Sequence, residues 1–154
     1  IQPDQFLSAL YMNELILHFL SNADPYPGLY LIYYKTLKEF SSFDNHEPLL
    51  RVFEFKLLEE IGYAINFETE ALSSQMIDLD GHYRYVPEQG FHSVSKDSKI
   101  KKYTGKQISS IQAMNFSSKE IMLAAKILAR ETIQFHLDGK ELMTKKMYKS
   151  INRS

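Results

Sequence analysis

The fold is decided by a stretch that reads Leu49-Leu50-Arg51-Val52-Phe53-Glu54-Phe55-Lys56-Leu57-Leu58-Glu59-Glu60-Ile61-Gly62. Its apolar residues recur every three or four positions, which is the period of one helix face. Glycine often ends such helices because it readily takes the left-handed conformation found just past a helix C-terminus. The stretch therefore predicts a helix over 47–61, with Gly62 as its stop.

Further helical segments lie on both sides of this stretch. Residues 5–20 are apolar around nearly the whole helix circumference, which is typical of a buried central helix, and Asp4 is placed to cap it. Two capping-box pairs, Thr104 with Gln107 and Ser117 with Glu120, mark later helix starts. The predicted helices span 5–20, 29–40, 47–61, 105–113, 118–137 and 144–152.

The segment between the third and fourth predicted helices has a different pattern. Tyr83 and Tyr85 alternate with polar residues, Pro87 to Gly90 has the composition of a turn, and Phe91 resumes the alternation. This pattern predicts a small β-hairpin over 77–95. Short loops between the first three helices favour antiparallel neighbours. We therefore expect a single mainly α-helical domain over 1–154, a helical bundle with a β-hairpin insertion.

Composition excludes several classes of protein. The chain has 154 residues, 44% of them apolar and 24% charged, which suits one globular domain. It contains no cysteine, so disulfides, thiolate nucleophiles and cysteine-bound zinc are excluded, and a reducing cytosol fits. The longest apolar stretch, Phe6 to Leu20, is too short and too polar to predict a membrane span.

Charge is distributed unevenly along the chain. Residues 1–95 carry five Lys and Arg against 14 Asp and Glu, a net charge of −9, whereas residues 96–154 carry 13 against five, a net charge of +8. A basic half on a nearly neutral protein is typical of a surface that binds a polyanion, because Lys and Arg displace counterions from a phosphate backbone. Lysine-rich solvated helix faces would produce the same pattern, and sequence leaves both interpretations open.

Two acidic patterns bear on chemistry. Asp78, Asp80 and His82 are suitable ligands for a divalent metal, which would make the chain a hydrolase or nuclease, although their spacing matches no recognised metal motif. Glu14 lies on an otherwise apolar helix. A buried carboxylate is costly unless it is paired, so we expect Glu14 to cap a neighbouring backbone segment or to pair with a basic side chain.

Arg51 interrupts the apolar run of the deciding stretch. An arginine beside exposed apolar surface can capture a peptide that ends in an aromatic residue, because the guanidinium forks onto the terminal carboxylate while the ring enters a pocket. An arginine that only extends its charged end from the bundle edge is the alternative. Spacing alone does not separate the two.

Four motifs together resemble the RecO family of bacterial recombination mediators. Residues 49–63 are similar to its L-R-R-F-E-x-x-L-L-x-x-L-G-Y segment, and residues 10–15 to its Y-x-N-E-L helix. Ala124-Ala125-Lys126 with Arg130 matches a late helix of the family, and residues 137–142 resemble its L-G-G-K-x-L turn. The motifs keep the family's order and spacing from Phe6 to Tyr148, which covers nearly the entire chain.

The resemblance implies the helical C-terminal domain of that family without its N-terminal oligonucleotide-binding barrel. The family places this barrel just upstream, which would explain why the chain starts at Ile1 rather than at methionine. It implies a non-enzymatic adaptor in DNA repair and homologous recombination, in the bacterial cytoplasm at the nucleoid. The implied partners are single-stranded DNA, RecR and the acidic C-terminal tail of single-stranded-DNA-binding protein, and the role is to promote RecA loading and strand annealing. No membrane and no cofactor are expected.

The resemblance also assigns candidate site residues. Arg51 falls on the family's arginine in the helix that takes the acidic tail, with Lys126 and Arg130 as electrostatic helpers. The positive charge of the second half, rather than a family motif, supplies the expected nucleic-acid contacts: Lys99, Lys101, Lys102, Lys106, Lys145, Lys146 and Lys149.

One departure from the family concerns zinc. Many members carry a four-cysteine zinc knuckle in the segment that corresponds to residues 69–92, and here the cysteines are absent, so no metal is expected. We expect Tyr83, Tyr85 and Phe91 to hold the hairpin instead. A metal-dependent nuclease at Asp78, Asp80 and His82 and a purely structural helical module remain the alternatives.

Overall fold

The structure is a computed structural model. The part of the chain that it describes contains six helices and three short strands. That part comprises residues 3–20, 27–40, 45–100, 103–137 and 142–152. The elements in chain order are α1 (Pro3–Leu20), α2 (Pro27–Phe40), α3 (Glu47–Glu60), β1 (His82–Val86), β2 (Gly90–Ser93), β3 (Tyr103–Thr104), α4 (Gly105–Gln112), α5 (Lys119–His136) and α6 (Met143–Asn152). The mainly helical fold class with a small β insertion is confirmed.

Backbone contacts divide the chain into two compact units. The first unit consists of Ile1–Ala64 together with Ile133–Ser154, and the second consists of Ile65–Thr132. Helix α5 begins in the second unit and ends in the first.

The first unit is a packed group of helices. Within it α2 packs on α3, and α1 contacts both α2 and α6. Its core is formed by fully buried side chains of three helices: Met12, Leu15, Leu29, Phe53, Leu57 and Leu58. The helical spacing of the deciding stretch thus corresponds to a buried face of α3, as its period predicts.

The second unit contains a three-stranded antiparallel sheet with strand order β2-β1-β3. Tyr85 lies opposite Phe91, and alternation along the strands puts both on one face with Tyr83. The centroid of the Phe91 ring lies 5.0 Å from that of Tyr85 and 5.8 Å from that of Tyr103, so aromatic packing supports the hairpin as expected. The strands are shorter than the predicted 77–95, because Ile77 and Leu79 lie in the loop before β1.

Helix starts follow local capping chemistry, with two corrections. The Thr104–Gln107 capping box is present at α4. At α5 the predicted Ser117 cap is wrong: Ser118 Oγ accepts the N–H of Ile121, and Ser117 bonds Asn115 instead. The Glu120 carboxylate accepts from Gln107 Nε2 at 2.7 Å, so it serves the neighbouring helix.

Proline sets the first residue of two helices. Helix α1 begins at Pro3, which places Asp4 in the first turn, so the prediction that Asp4 is the N-cap is wrong. Helix α2 begins at Pro27, two residues before the predicted start. Proline suits a first helical position because its missing N–H would have no partner there.

No helix in the described residues is both long enough and apolar enough to cross a membrane.

Candidate functional site

Arg51 lies inside the helical unit. Its side chain is 2% exposed, and its Nε lies 2.7 Å from Oε1 of Glu54, which is completely buried. The other oxygen of that carboxylate accepts the hydroxyl of Tyr11 at 2.7 Å. Because Tyr11 belongs to α1 and the ion pair belongs to α3, this network connects the two helices.

The expectation that Arg51 stands beside exposed apolar surface is therefore wrong. The physical reason is Glu54, which follows three positions later on the same helix and draws the guanidinium inward. Sequence reasoning missed Glu54 and Tyr11, although the three-residue spacing of Arg51 and Glu54 was a usable signal. The role of Arg51 in holding an acidic tail stays a prediction, and it now requires a partner that reaches a buried ion pair.

Lys126 and Arg130 lie one turn apart on α5, so the helix brings them together on one face. Lys126 is exposed and Arg130 is half-buried. Leu123, which is exposed, precedes Lys126 by three positions and shares that face. Lys126 and Arg130 belong to the second unit, and Arg51 belongs to the first.

The predicted nucleic-acid lysines fall into two groups. Lys99 and Lys106 are exposed residues of the second unit, and the Lys106 ammonium lies 4.0 Å from Oδ1 of Asp80, where solvent screens the attraction. The other described group is on α6 of the first unit, where Lys145, Lys146 and Lys149 are all exposed. Lys101 and Lys102 lie outside the described residues.

Glu14 fixes the start of the helix that carries those three lysines. Its carboxylate accepts the N–H of Met143 at 2.6 Å, the N–H of Thr144 at 3.0 Å and the hydroxyl of Thr144 at 2.5 Å. This confirms the expected capping role. A carboxylate suits the place because the N-terminus of a helix has unsatisfied N–H groups and a partial positive charge.

The same contacts set the acidity of Glu14. Partial burial opposes ionisation, but the hydrogen bonds from the Thr144 hydroxyl, the Thr144 N–H and the Met143 N–H, together with the charge of Lys146, outweigh it. They hold the pKa of Glu14 below its ordinary value of 4.5. Glu14 therefore anchors the start of α6 most strongly when it is ionised.

The acidic residues before β1 do not assemble a metal site. An open pocket of about 250 Å³ is lined in part by Glu70, Asp78 and His82. The described residues, which include Asp78, Asp80 and His82, contain no group of three or more His, Asp or Glu that could hold a metal ion. Asp78 Oδ1 instead accepts the N–H of Asp80 at 3.0 Å.

Glu70 stabilises the loop that follows it. Its carboxylate accepts the N–H groups of Ser73 and Leu72, at 2.9 and 3.0 Å for Oε1. The hydrogen bond from Ser73, followed by that from Leu72, lowers the pKa of Glu70 against the opposing effect of burial. The side chain of Glu70 thus holds the backbone of the loop over 70–74.

These observations describe a mainly α-helical chain with a small antiparallel sheet, exposed lysines on α6 and basic side chains on α5. The chain matches, over residues 2–146, the family model described as "Recombination protein O C terminal". The chain belongs to this family.

Curated relatives that the chain matches in sequence carry a common name. The chain is 33% identical over 147 residues to the DNA repair protein RecO of Aliivibrio fischeri (strain MJ11), covering 96% of this chain and 62% of that protein. It is 36% identical over 141 residues to the DNA repair protein RecO of Photobacterium profundum, covering 92% and 59% respectively. The chain thus spans about 60% of the length of these curated relatives.

Proposed function

We propose that this chain is the helical part of a DNA repair and recombination mediator, and that it binds anionic polymers without transforming them. The observation that carries the proposal is the family match over residues 2–146, together with relatives named DNA repair protein RecO. The proposed ligands are single-stranded DNA and the acidic C-terminal tail of single-stranded-DNA-binding protein, with RecR as a further partner in the bacterial cytoplasm. The proposed outcome is RecA loading and strand annealing.

The lysines of α6 support the DNA part of the proposal. Lys145, Lys146 and Lys149 occupy one exposed arc of the helix, and Glu14 holds the start of that helix on α1. Lysine ammonium groups bind phosphates as point charges and release counterions from the strand. A helix fixed at its N-terminus presents these charges together, so they can contact neighbouring phosphates of one strand.

A lysine variant tests this part. In the 154-residue chain, replacement of all three residues, Lys145→Gln, Lys146→Gln and Lys149→Gln, should lower the slope of log affinity against log salt by about 2 for a labelled single strand, since each phosphate contact contributes about 0.7. The control carries Lys56→Gln and Lys119→Gln, which remove exposed charges elsewhere. An unchanged slope in the α6 variant would exclude α6 from the DNA site.

The tail part of the proposal is supported by the face of α5. Lys126 and Arg130 offer positive charge one turn apart, and the exposed Leu123 offers apolar surface on the same face. An acidic peptide that ends in an aromatic residue needs both. Arg51, which belongs to the first unit, stays a separate candidate contact for the tail, reached only where the tail displaces its pairing with Glu54.

Peptide titration separates the contributions of these residues. A peptide of acidic residues ending in Phe should bind more weakly to the Lys126→Ala, Arg130→Ala double variant, by about 1.5 to 3 kcal/mol for each charged hydrogen bond that the substitutions remove. For Arg51, the informative variant is Arg51→Met with Glu54→Leu, which removes both buried charges and should stay folded. Undiminished peptide binding by that variant would show that Arg51 is structural and does not hold the tail.

Incubation of the chain with DNA tests for catalysis. After incubation with magnesium or manganese, we expect the labelled single strands to keep their full length, because Asp78, Asp80 and His82 do not form a group that could bind a metal ion. Shortened strands that disappear in an Asp78→Asn variant would establish a nuclease and overturn the adaptor proposal.

A further inference from the structure

Helix α2 presents an apolar face that the described residues of its own unit leave uncovered. Tyr30, Leu31 and Tyr34 are 55, 58 and 70% exposed, whereas Leu29 and Phe40 on the opposite side of the helix are buried. Large apolar side chains that cluster on a surface usually mark a contact site, whereas single ones do not. Three within five residues on one helix form such a cluster, which we call the α2 face.

The α2 face also carries positive charge in an ordered arrangement. Positions four residues apart lie above one another on a helix, so Tyr30, Tyr34 and Lys38 form one row and Leu31 and Lys35 begin the next. The two lysines are exposed. The backbone rise separates Tyr30 from Tyr34 by about 6 Å along the axis.

Neighbouring contacts hold this face in place. The Tyr34 ring stands edge-to-face against Tyr33, with centroids 6.4 Å apart, and the Tyr33 hydroxyl lies 3.5 Å from Oδ1 of Asn13 on α1. The N–H of Gly28, in the first turn of α2, donates to Oε1 of Glu60 on α3 at 3.1 Å. Helix α2 is thus tied to both of its neighbours, and little ordering is needed before the α2 face binds a ligand.

We propose that the α2 face binds single-stranded nucleic acid, with successive bases stacked on Tyr30 and Tyr34 and the phosphates beside Lys35 and Lys38. Exposed aromatic rings interleaved with cations are the arrangement that binds single strands without sequence preference. This proposal rests on the proposed DNA-binding function and adds a site outside the basic half of the sequence.

Charge favours a nucleic acid over a second copy of the chain. Among the described residues, Lys35 and Lys38 lie on the α2 face, the exposed Glu39 lies at its edge, and the Glu60 carboxylate lies at the start of the helix. In a two-fold dimer the same face would meet itself, so the lysines of the two copies would lie on facing surfaces. A phosphate backbone instead brings negative charge to this face.

Ring removal with a ring-preserving control tests the proposal. In the 154-residue chain, Tyr30→Ala with Tyr34→Ala should weaken binding of an oligo-dT single strand by at least about tenfold, because each stacked base contributes substantially to affinity. Tyr30→Phe with Tyr34→Phe should bind within about twofold of the unsubstituted chain, since the ring faces remain. Leu17→Ala, which shortens a 61% exposed side chain on α1, is the matched control and should leave affinity unchanged.

Each outcome has a distinct meaning. If the unsubstituted chain shows no salt-dependent binding of oligo-dT, the proposed DNA function fails and the α2 site fails with it. If the unsubstituted chain binds and the double alanine variant binds equally well, only the α2 site is overturned. If the alanine variant loses self-association in sedimentation while DNA binding persists, the face belongs to a second copy, and the proposal is likewise overturned.

Discussion

Arg51, Glu54 and Tyr11 form the most consequential group of single residues in the helical unit. Two opposite charges are buried together, and the Glu54 carboxylate also accepts a hydrogen bond from Tyr11 of α1. Taking charges out of water is costly, so the group is stable only when every partner is present. It explains how an arginine is accommodated within an apolar run.

Removing one member of this group should be severe. Arg51→Ala leaves the Glu54 carboxylate buried without its ion-pair partner, and we expect a loss of about 3 to 5 kcal/mol in the free energy of unfolding, measured by urea denaturation. Arg51→Met with Glu54→Leu, which removes both charges, should recover most of that loss. A single variant as stable as the unsubstituted chain would show that the pair is not structural.

Glu14 makes the stability of the helical unit depend on pH. Because its pKa is lower in the folded chain than in the unfolded chain, its contribution is fully present above about pH 4.5 and is lost as the pH falls through the folded-state value. Glu14→Gln should therefore destabilise the chain at neutral pH, and the deficit should shrink toward about pH 3.5.

Urea midpoints at both pH values measure this deficit, and Glu39→Gln, at an exposed carboxylate, is the control. A Glu14→Gln deficit that is equal at the two pH values would contradict the capping role of the ionised carboxylate.

The residues of these groups differ in how far sequence can predict them. A carboxylate on an apolar helix needs a partner, so the capping role of Glu14 is predictable, but that partner is 129 positions away and no local pattern names it. For Arg51, the spacing of three residues predicts an ion pair with Glu54 on the same helix. The Tyr11 hydroxyl comes from a different helix, 43 positions away from Glu54, and no local pattern predicts it. Tertiary partners of polar groups therefore have to come from the structure.

At the scale of elements, the start of α5 depends on one hydroxyl. Ser118 Oγ accepts the N–H of Ile121, whereas the Ser117 hydroxyl donates to Asn115 Oδ1 at the exposed surface. Ser118→Ala should cost about 1 kcal/mol of stability, as loss of a helix cap does. The adjacent Ser117→Ala should stay within about 0.5 kcal/mol. Urea denaturation of both variants decides the assignment, and the reverse order of effects would restore Ser117 as the cap.

Periodic elements are predictable from the sequence, and their ends are less so. The deciding stretch has a clear helical period, and α3 occupies Glu47–Glu60. The hairpin follows from alternating aromatic residues and a turn, but β3, only two residues long, has no period to detect. The helices that begin at Pro3 and Pro27 start earlier than predicted, because proline is equally typical of the turn before a helix and of its first position.

At the scale of the whole molecule, the charge asymmetry of the sequence does not follow the two compact units. The lysines of α6 belong to the basic half of the sequence, yet they fold into the unit that contains the acidic residues of α3. Positive charge is therefore presented by separate elements, on α6, on α5 and beside Asp80.

The central claim, that exposed cations of this chain hold a single strand without cleaving it, is tested most directly by a salt titration. Fluorescence anisotropy of a labelled oligo-dT strand should show affinity that falls as salt rises. The slope of log affinity against log salt should be about −2 or steeper, as three phosphate contacts require. The strand recovered after incubation with magnesium should keep its full length. Absence of binding at low salt, affinity that does not change with salt, or a shortened strand would contradict the account.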